Sequence, residues 1–434
     1  MLGFSSRSAL VGSFLAAAAV ACGSGDRTES AAQSSDRLAS VPGLVIDLTQ
    51  TSTSGLSSGG FMAVQFHVAY SSIMRGAAVF AGGPYYCAQG SVSNALNRCM
   101  SSSTPLDPAP FIATTNDWAK LGAIDPVTNL ASQRVFLFGG DKDTTVNPAV
   151  MDGLRAYYAG VGVDPKSITF ERRRPNTAHT MPTIDYGSAC GTSSAPYVGE
   201  CDYDGAGEAL SAIYGALQPR AKKATGRFIE IAQGNFVTAP SSHSLAETAY
   251  AYVPEACENG ETCRVHVAFH GCQQSVSKVG DAFYQHAGYN EWADTNHLVV
   301  LYPQTIETSG SNPNGCWDWW GYDSPDYAKK SGPQMKMVRA MLGALAGESI
   351  STPPPSSIPI DGGAGGEADG ATQQAEPSCF VTSNREHVAA GRAFESFGFA
   401  FAKGSGQPLG TSVQWWSTSV ARVREGYYVR SLCR

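Results

Sequence analysis

Three residues spread along this chain have the types and spacing to perform acyl transfer together: Ser57, Asp143 and His179. A serine hydroxyl becomes a useful nucleophile when an imidazole takes its proton, and the imidazole needs a carboxylate to fix its tautomer and stabilise its charge. Ser57 lies in Gly55-Leu56-Ser57-Ser58-Gly59-Gly60, between a Thr/Ser-rich run of strand character and the helical pattern Phe61-Met62-Ala63-Val64-Gln65-Phe66. That context reads as a nucleophile elbow, a strained turn whose small neighbours let the hydroxyl stand clear. The G-x-S-x-G pattern is weakly selective in a chain rich in Gly and Ser, so its partners decide. The strand-like run Val135-Phe136-Leu137-Phe138 enters Gly139-Gly140-Asp141-Lys142-Asp143, which offers Asp143 as the acid and Asp141 as a fallback. A further run, Ser167-Ile168-Thr169-Phe170, leads to Ala178-His179-Thr180; of the eight histidines, only His179 follows the acid in a loop of suitable spacing.

These residues need a scaffold that brings strand ends together. From Leu44 to about Ala346, short apolar runs (77–80, 135–138, 265–269, 298–302) alternate with amphipathic segments around 62–71, 148–160, 206–217, 281–293 and 334–346. Such alternation predicts an α/β fold, a mostly parallel sheet with helices on both faces. The order Ser, Asp, His is that of α/β-hydrolases, whose second oxyanion donor comes from a His-Gly loop before the nucleophile. Here the matching Val265-His266-Val267-Ala268-Phe269-His270-Gly271-Cys272 follows the histidine, which predicts a circularly permuted α/β-hydrolase. His266 and His270 share one strand face but have no third partner at metal-ligand spacing, and they read as packing or loop-orienting residues.

The chain has 434 residues, 43% hydrophobic and 15% charged, a core-forming composition. A net charge of −7 provides no basic field and sets nucleic-acid binding aside. Residues 1–21 read as a signal peptide, with Arg7 ahead of a short apolar stretch of small residues. Cys22 directly after Ala19-Val20-Ala21 leaves two export routes open, lipidation of Cys22 with membrane attachment or simple secretion. The polar stretch 22–42 reads as a flexible tether ahead of a catalytic domain at 43–350. Without Cys22, the eleven cysteines reduce to ten in close couples: Cys87/Cys99, Cys190/Cys201, Cys257/Cys263, Cys272/Cys316 and Cys379/Cys433. In an exported chain these are most simply five disulfides. Residues 351–378, rich in Pro and Gly, read as a linker to a small C-terminal module, 379–434, β-rich, aromatic and closed by Cys379/Cys433.

Taken together, Gly55 to Gln65, Ala81-Gly82-Gly83-Pro84-Tyr85-Tyr86-Cys87, His179 to Thr183, Cys201-Asp202-Tyr203-Asp204-Gly205-Ala206-Gly207, His270-Gly271-Cys272-Gln273-Gln274 and Asn312 to Trp320 resemble the extracellular poly(3-hydroxybutyrate) depolymerases with a permuted single catalytic domain. The resemblance spans roughly 44–346. It implies Ser57 as nucleophile, Asp143 as acid, His179 as base, and the backbone N–H groups of Ser58 and Cys272 as the oxyanion hole. It further implies Asn314, Trp317 and Trp319 as substrate contacts, although packing competes for the tryptophans. Ala178 departs from the glycine that many relatives carry before the histidine.

The expected activity is therefore a serine carboxylester hydrolase acting on a short-chain polyester through an acyl-enzyme, with no cofactor. A feruloyl or acetylxylan-type esterase uses the same chemistry, since fold and triad do not fix the acyl group. A polymer-binding surface protein with a vestigial site is the alternative from another class.

Overall fold

The computed structural model describes residues 44–348 and, further on, 378–390, 392–396, 399–402, 408–411, 417–424 and 427–430. The expected signal peptide and tether with Cys22, the linker up to residue 377, and Cys433 lie outside the described residues.

Nine strands make the main sheet: β1 (Val45–Ile46), β2 (Thr51–Leu56), β3 (Met74–Phe80), β4 (Arg134–Gly140), β5 (Ile168–Arg174), β6 (Arg227–Ala232), β7 (Thr248–Val253), β8 (Thr262–Phe269) and β9 (Leu298–Tyr302). Their order is β5-β4-β3-β2-β8-β9-β7-β6, with β1 beside the start of β8. Every pairing from β5 across to β9 is parallel, and β7 alone runs against the others, so its pairings with β9 and β6 are antiparallel. Along β2, β9 and all but the first residues of β3 and β4, side chains pointing to either face are buried, so both faces are covered. The rims differ: β5 has no fully buried residue and carries Arg172, Arg173 and Arg174, charges that discourage pairing with another strand.

Among the described residues, five helices of ten or more residues accompany the sheet: α1 (Ser58–Ala69), α2 (Ala109–Lys120), α3 (Pro148–Gly160), α4 (Gly205–Tyr214) and α5 (Pro333–Leu345). All twelve residues of α1 are buried, as its apolar sequence requires, which makes the helix behind Ser57 part of the core. The expected helix over 281–293 is instead two short ones, Ala282–His286 and Asn290–Thr295, separated at Gly288, whose φ of 91° no continuing helix adopts.

The strand order explains the displaced His-Gly loop. Counting from β6 and passing from β9 back to β2, the His-Gly strand is third and the Ser57 strand fifth, and the two lie side by side with Gly55 opposite Phe269. The loop therefore stands where the α/β-hydrolase fold draws its second oxyanion donor, although it comes late in the chain.

β2 is polar (Thr-Ser-Thr-Ser) yet central, and its register partner resolves the conflict. His266 of β8 lies opposite Ser52, with Nδ1 2.6 Å from Ser52 Oγ and Nε2 2.7 Å from Ser54 Oγ. Tyr214 and Tyr289 extend this network to 2.7 and 2.6 Å from the same two hydroxyls, leaving each buried polar group partnered.

In the C-terminal part, Ser378–Ser383 pairs antiparallel with Ser417–Arg424, which pairs with Tyr427–Arg430, and a second antiparallel set joins 393–396, 399–402 and 408–411. One short helix, Asn384–Ala389, starts at a capping box of Ser383 and Glu386. Ala393, Leu409 and Val420 form a small core with Phe380 and Val388 against it.

Candidate active site

Ser57, at the C-terminal end of β2, has φ 58° and ψ −121°, a backbone conformation that L-residues rarely adopt and that marks a built-in strain at the elbow. The flanking glycines are steric necessities. A Cβ at Gly55 would lie 2.2 Å from the Gly59 carbonyl oxygen, and one at Gly59 would lie 2.3 and 2.4 Å from the carbonyl oxygens of Phe269 and His270. The second contact seats the first turn of α1 directly on the end of β8, so elbow and His-Gly loop share one packing interface.

Asp143 follows β4 and His179 follows β5, and His179 Nδ1 is 2.8 Å from Asp143 Oδ2 with both side chains nearly enclosed. The other carboxylate oxygen of Asp143 accepts from the backbone N–H groups of Thr145 and Val146 at 2.8 and 2.9 Å, which sets the direction of the carboxylate. Asp141, the fallback acid, is exposed and accepts from the Thr177 N–H at 3.2 Å, a turn-closing role. The loop carrying His179 is held by a disulfide-closed segment: the Ala178 N–H donates to the Cys190 carbonyl, the His179 N–H to Ser193 Oγ and the Met181 N–H to the Tyr197 carbonyl. Among the described residues, His179 is hydrogen-bonded through Nδ1 to Asp143 and not to Ser57 Oγ.

Ser58 begins α1, so its N–H belongs to the unsatisfied first turn of a helix. Cys272 follows β8 and is joined to Cys316, while the Gln273 N–H donates to the Asn314 carbonyl at 2.7 Å. Among the described residues the disulfides are Cys87–Cys99, Cys190–Cys201, Cys257–Cys263 and Cys272–Cys316, the first four expected couples; the fifth involves Cys433 and lies outside them.

The expected substrate contacts fall in different environments. Asn314 is exposed, with Oδ1 accepting from Gln273 Nε2. Trp319 is 5% exposed and stacks on Phe61 of α1 at 4.0 Å, whereas Trp317 is fully enclosed against Phe269 and His270. Both indole N–H groups are buried without a partner.

Three residues with no role legible in the sequence stabilise this region. Gln274 accepts the Gly271 N–H at 2.7 Å and donates to the Pro196 and Tyr197 carbonyls, tying the His-Gly loop to the His179 segment. Thr305 bonds both His270 and the Gly315 carbonyl. Asp318 takes four backbone N–H groups, from Gly321, Tyr322, Asp323 and Ser324, and its carbonyl accepts from Gln65 of α1, so the tryptophan segment is fastened to the nucleophile helix. Burial pushes the Asp318 carboxyl up to about 7, with Asp323 adding to the rise and backbone N–H groups opposing it. Gln274 lies within the motif His270 to Gln274, but the carbonyls it bonds are 77 and 78 residues away in sequence.

No family model matches the chain. The "Poly(3-hydroxybutyrate) depolymerase" of Delftia acidovorans is 47% identical over 337 residues, 76% of this chain and 67% of that protein. The "Polyhydroxybutyrate depolymerase" of Talaromyces funiculosus is 39% identical over 314 residues, 69% of this chain and 90% of that protein. Two solved structures, a PHB depolymerase with a serine-to-alanine substitution complexed with an R3HB trimer and the PHB depolymerase from Penicillium funiculosum, each match with a TM-score of 0.66 and 36% identity, covering 71% of this chain and 99% of theirs. With Ser57 on a strained elbow, His179 on Asp143, and a displaced His-Gly loop packed on the elbow, the chain belongs to the poly(3-hydroxybutyrate) depolymerase family of α/β-hydrolases.

Proposed function

We propose that this protein is an exported serine esterase that depolymerises poly(3-hydroxybutyrate) or a closely related short-chain polyester. The observation that carries the proposal is that the elbow, the paired Asp143 and His179, and the Cys272 loop all follow the C-terminal ends of parallel strands of one sheet, β2, β4, β5 and β8. Ser57 Oγ attacks the ester carbonyl while His179 Nε2 takes its proton. Asp143, already against Nδ1, stabilises the imidazolium that forms. The N–H groups of Ser58 and Cys272 hold the oxyanion, the alcohol end leaves with the proton from His179, and water then cleaves the acyl-enzyme. Asn314 and Trp319 are the proposed contacts for the chain beyond the scissile ester, with Trp317 backing the oxyanion loop from the core.

Relatives named for polyhydroxybutyrate support the polyester over a feruloyl or acetyl ester. The intact Asp143–His179 pair speaks against a vestigial site. Four disulfides fit an oxidising compartment and hence export. Lipid attachment rests on Cys22 in the sequence alone, and intact mass of the mature N-terminus tests it. The division into catalytic domain, linker and C-terminal module, with the module adsorbing to solid polymer, is likewise proposed. Clearing of a poly(3-hydroxybutyrate) suspension, measured beside ferulate and acetate release from xylan, tests the substrate. Deleting 352–434 should slow clearing while sparing a soluble ester, and equal losses on both would count against adsorption.

A further inference from the structure

His270 stands one residue past β8, fully buried, with Trp317 and Phe283 packed around its ring. Its two nitrogens face backbone groups of opposite kind. Nδ1 is 2.7 Å from the carbonyl oxygen of Gly271, which can only accept, so Nδ1 carries the hydrogen. Nε2 is 3.2 Å from the backbone nitrogen of Thr305, which can only donate, so Nε2 is bare. The Thr305 hydroxyl also approaches Nε2, at 3.3 Å, but its own proton is directed to the Gly315 carbonyl at 2.6 Å. The ring is thus neutral and held in a single tautomer, in keeping with burial, which pushes its pKa down to about 4.

The carbonyl that Nδ1–H grips belongs to the same planar unit as the Cys272 N–H, and across a trans peptide the two point to opposite sides. Anchoring the oxygen therefore fixes the direction of the N–H. The adjacent Gly271 N–H cannot take its place, because Gln274 already accepts it. We propose that His270 is a positioning residue of the oxyanion hole, its Nδ1–H holding the Gly271–Cys272 peptide in the orientation that presents the Cys272 N–H to the developing oxyanion. The role rests on Cys272 being an oxyanion donor, as proposed above.

Two substitutions separate the ring's two bonds. In His270→Asn the side-chain amide N–H replaces Nδ1–H against the Gly271 carbonyl. In His270→Gln the longer amide reaches Thr305 and leaves that carbonyl without its donor. On a soluble short-chain ester, His270→Asn should keep kcat within about 10-fold of wild type. His270→Gln should lose about 100 to 1,000-fold in kcat, the cost of one oxyanion donor. KM should change by less than about 3-fold in both, and affinity for a boronic-acid transition-state analogue should fall in step with kcat. Equal losses in the two variants, or losses confined to KM, would overturn the role. Nitrogen-15 NMR of histidine-labelled wild type supplies a test independent of variant folding: the Nδ1–H tautomer at His270 is expected, and the Nε2–H tautomer refutes the proposal. Ser57→Ala measured alongside keeps the two failures apart. Retained turnover there overturns the catalytic assignment and the positioning role together, whereas an inactive Ser57→Ala with equal losses in the His270 variants overturns the positioning role alone.

Discussion

Asp141 and Asp143 stand two residues apart in the sequence, and only Asp143 pairs with His179. Asp143 reaches Nδ1 at 2.8 Å and is itself oriented by two backbone N–H groups, while Asp141 spends its carboxylate on the Thr177 N–H. Replacing Asp143 by Asn should leave the loop folded but favour the wrong imidazole tautomer, lowering kcat by about 10,000-fold. Asp141→Asn should change kcat by less than about 10-fold, because its hydrogen bond closes a turn and an amide oxygen can keep it. Steady-state kinetics on a soluble ester distinguish the two, and comparable losses in both variants would reassign the acid.

At the scale of elements, the site depends on α1 sitting on β8. Gly59 is the contact point, and Gly59→Ala inserts a methyl group 2.3 to 2.4 Å from two carbonyl oxygens at the end of that strand. Something must shift, and overpacking of this kind costs about 1 to 3 kcal/mol. Denaturant melts should show that loss together with a large fall in kcat, since the shift falls on the residues leading into Cys272. An undisturbed melt with full activity would show that the interface yields freely.

The same elements show what the sequence could disclose. Local patterns sufficed for β9, whose apolar run matches its observed bounds, and for the elbow, whose Gly and Ser spacing reports a steric need. Helix α2 and the antiparallel pair β6 and β7 carry no continuous apolar run to announce them: α2 buries only Phe111 and Thr115, and Arg227 and Glu230 interrupt β6 while Thr248 and small alanines dilute β7. Each member of the proposed triad was legible as a candidate because it follows a recognisable strand. The supports at Gln274, Thr305 and Asp318 were not, because a polar side chain does not reveal which distant backbone group it will bond. For Trp317 and Trp319 the sequence left substrate contact and packing both open, and the rings lie against β8 and α1 respectively.

For the whole molecule, buried imidazoles set a response to acid. Burial pushes His67 and His270 down to about 4 and His266 to about 3 from an ordinary 6.5, leaving all three neutral in the fold. Above pH 6.5 neither folded nor unfolded chain is charged at these positions. As pH falls below 6.5, the unfolded chain binds protons that the folded chain excludes until about 4, so stability falls with pH. Asp318 has the opposite sign: its carboxyl holds a proton up to about 7 when folded but only to 3.8 in the ordinary state, so acid favours the fold there. Three imidazoles against one carboxyl leave a net loss of roughly 3 kcal/mol per pH unit at most within that window. Thermal unfolding at constant ionic strength should therefore give a lower midpoint at pH 4.5 than at pH 7, and a flat or rising midpoint would contradict the neutral, buried histidines.

The proposed hydrolysis depends on one hydroxyl, that of Ser57, held in a strained turn. Its most direct test is the rate at which wild type and Ser57→Ala clear a poly(3-hydroxybutyrate) suspension, with circular dichroism to establish that both are folded. Wild type should clear the suspension and release soluble hydroxybutyrate products, while Ser57→Ala should fall by at least about 10,000-fold. A folded Ser57→Ala that clears the polymer within about 10-fold of wild type would contradict the acyl-enzyme on Ser57.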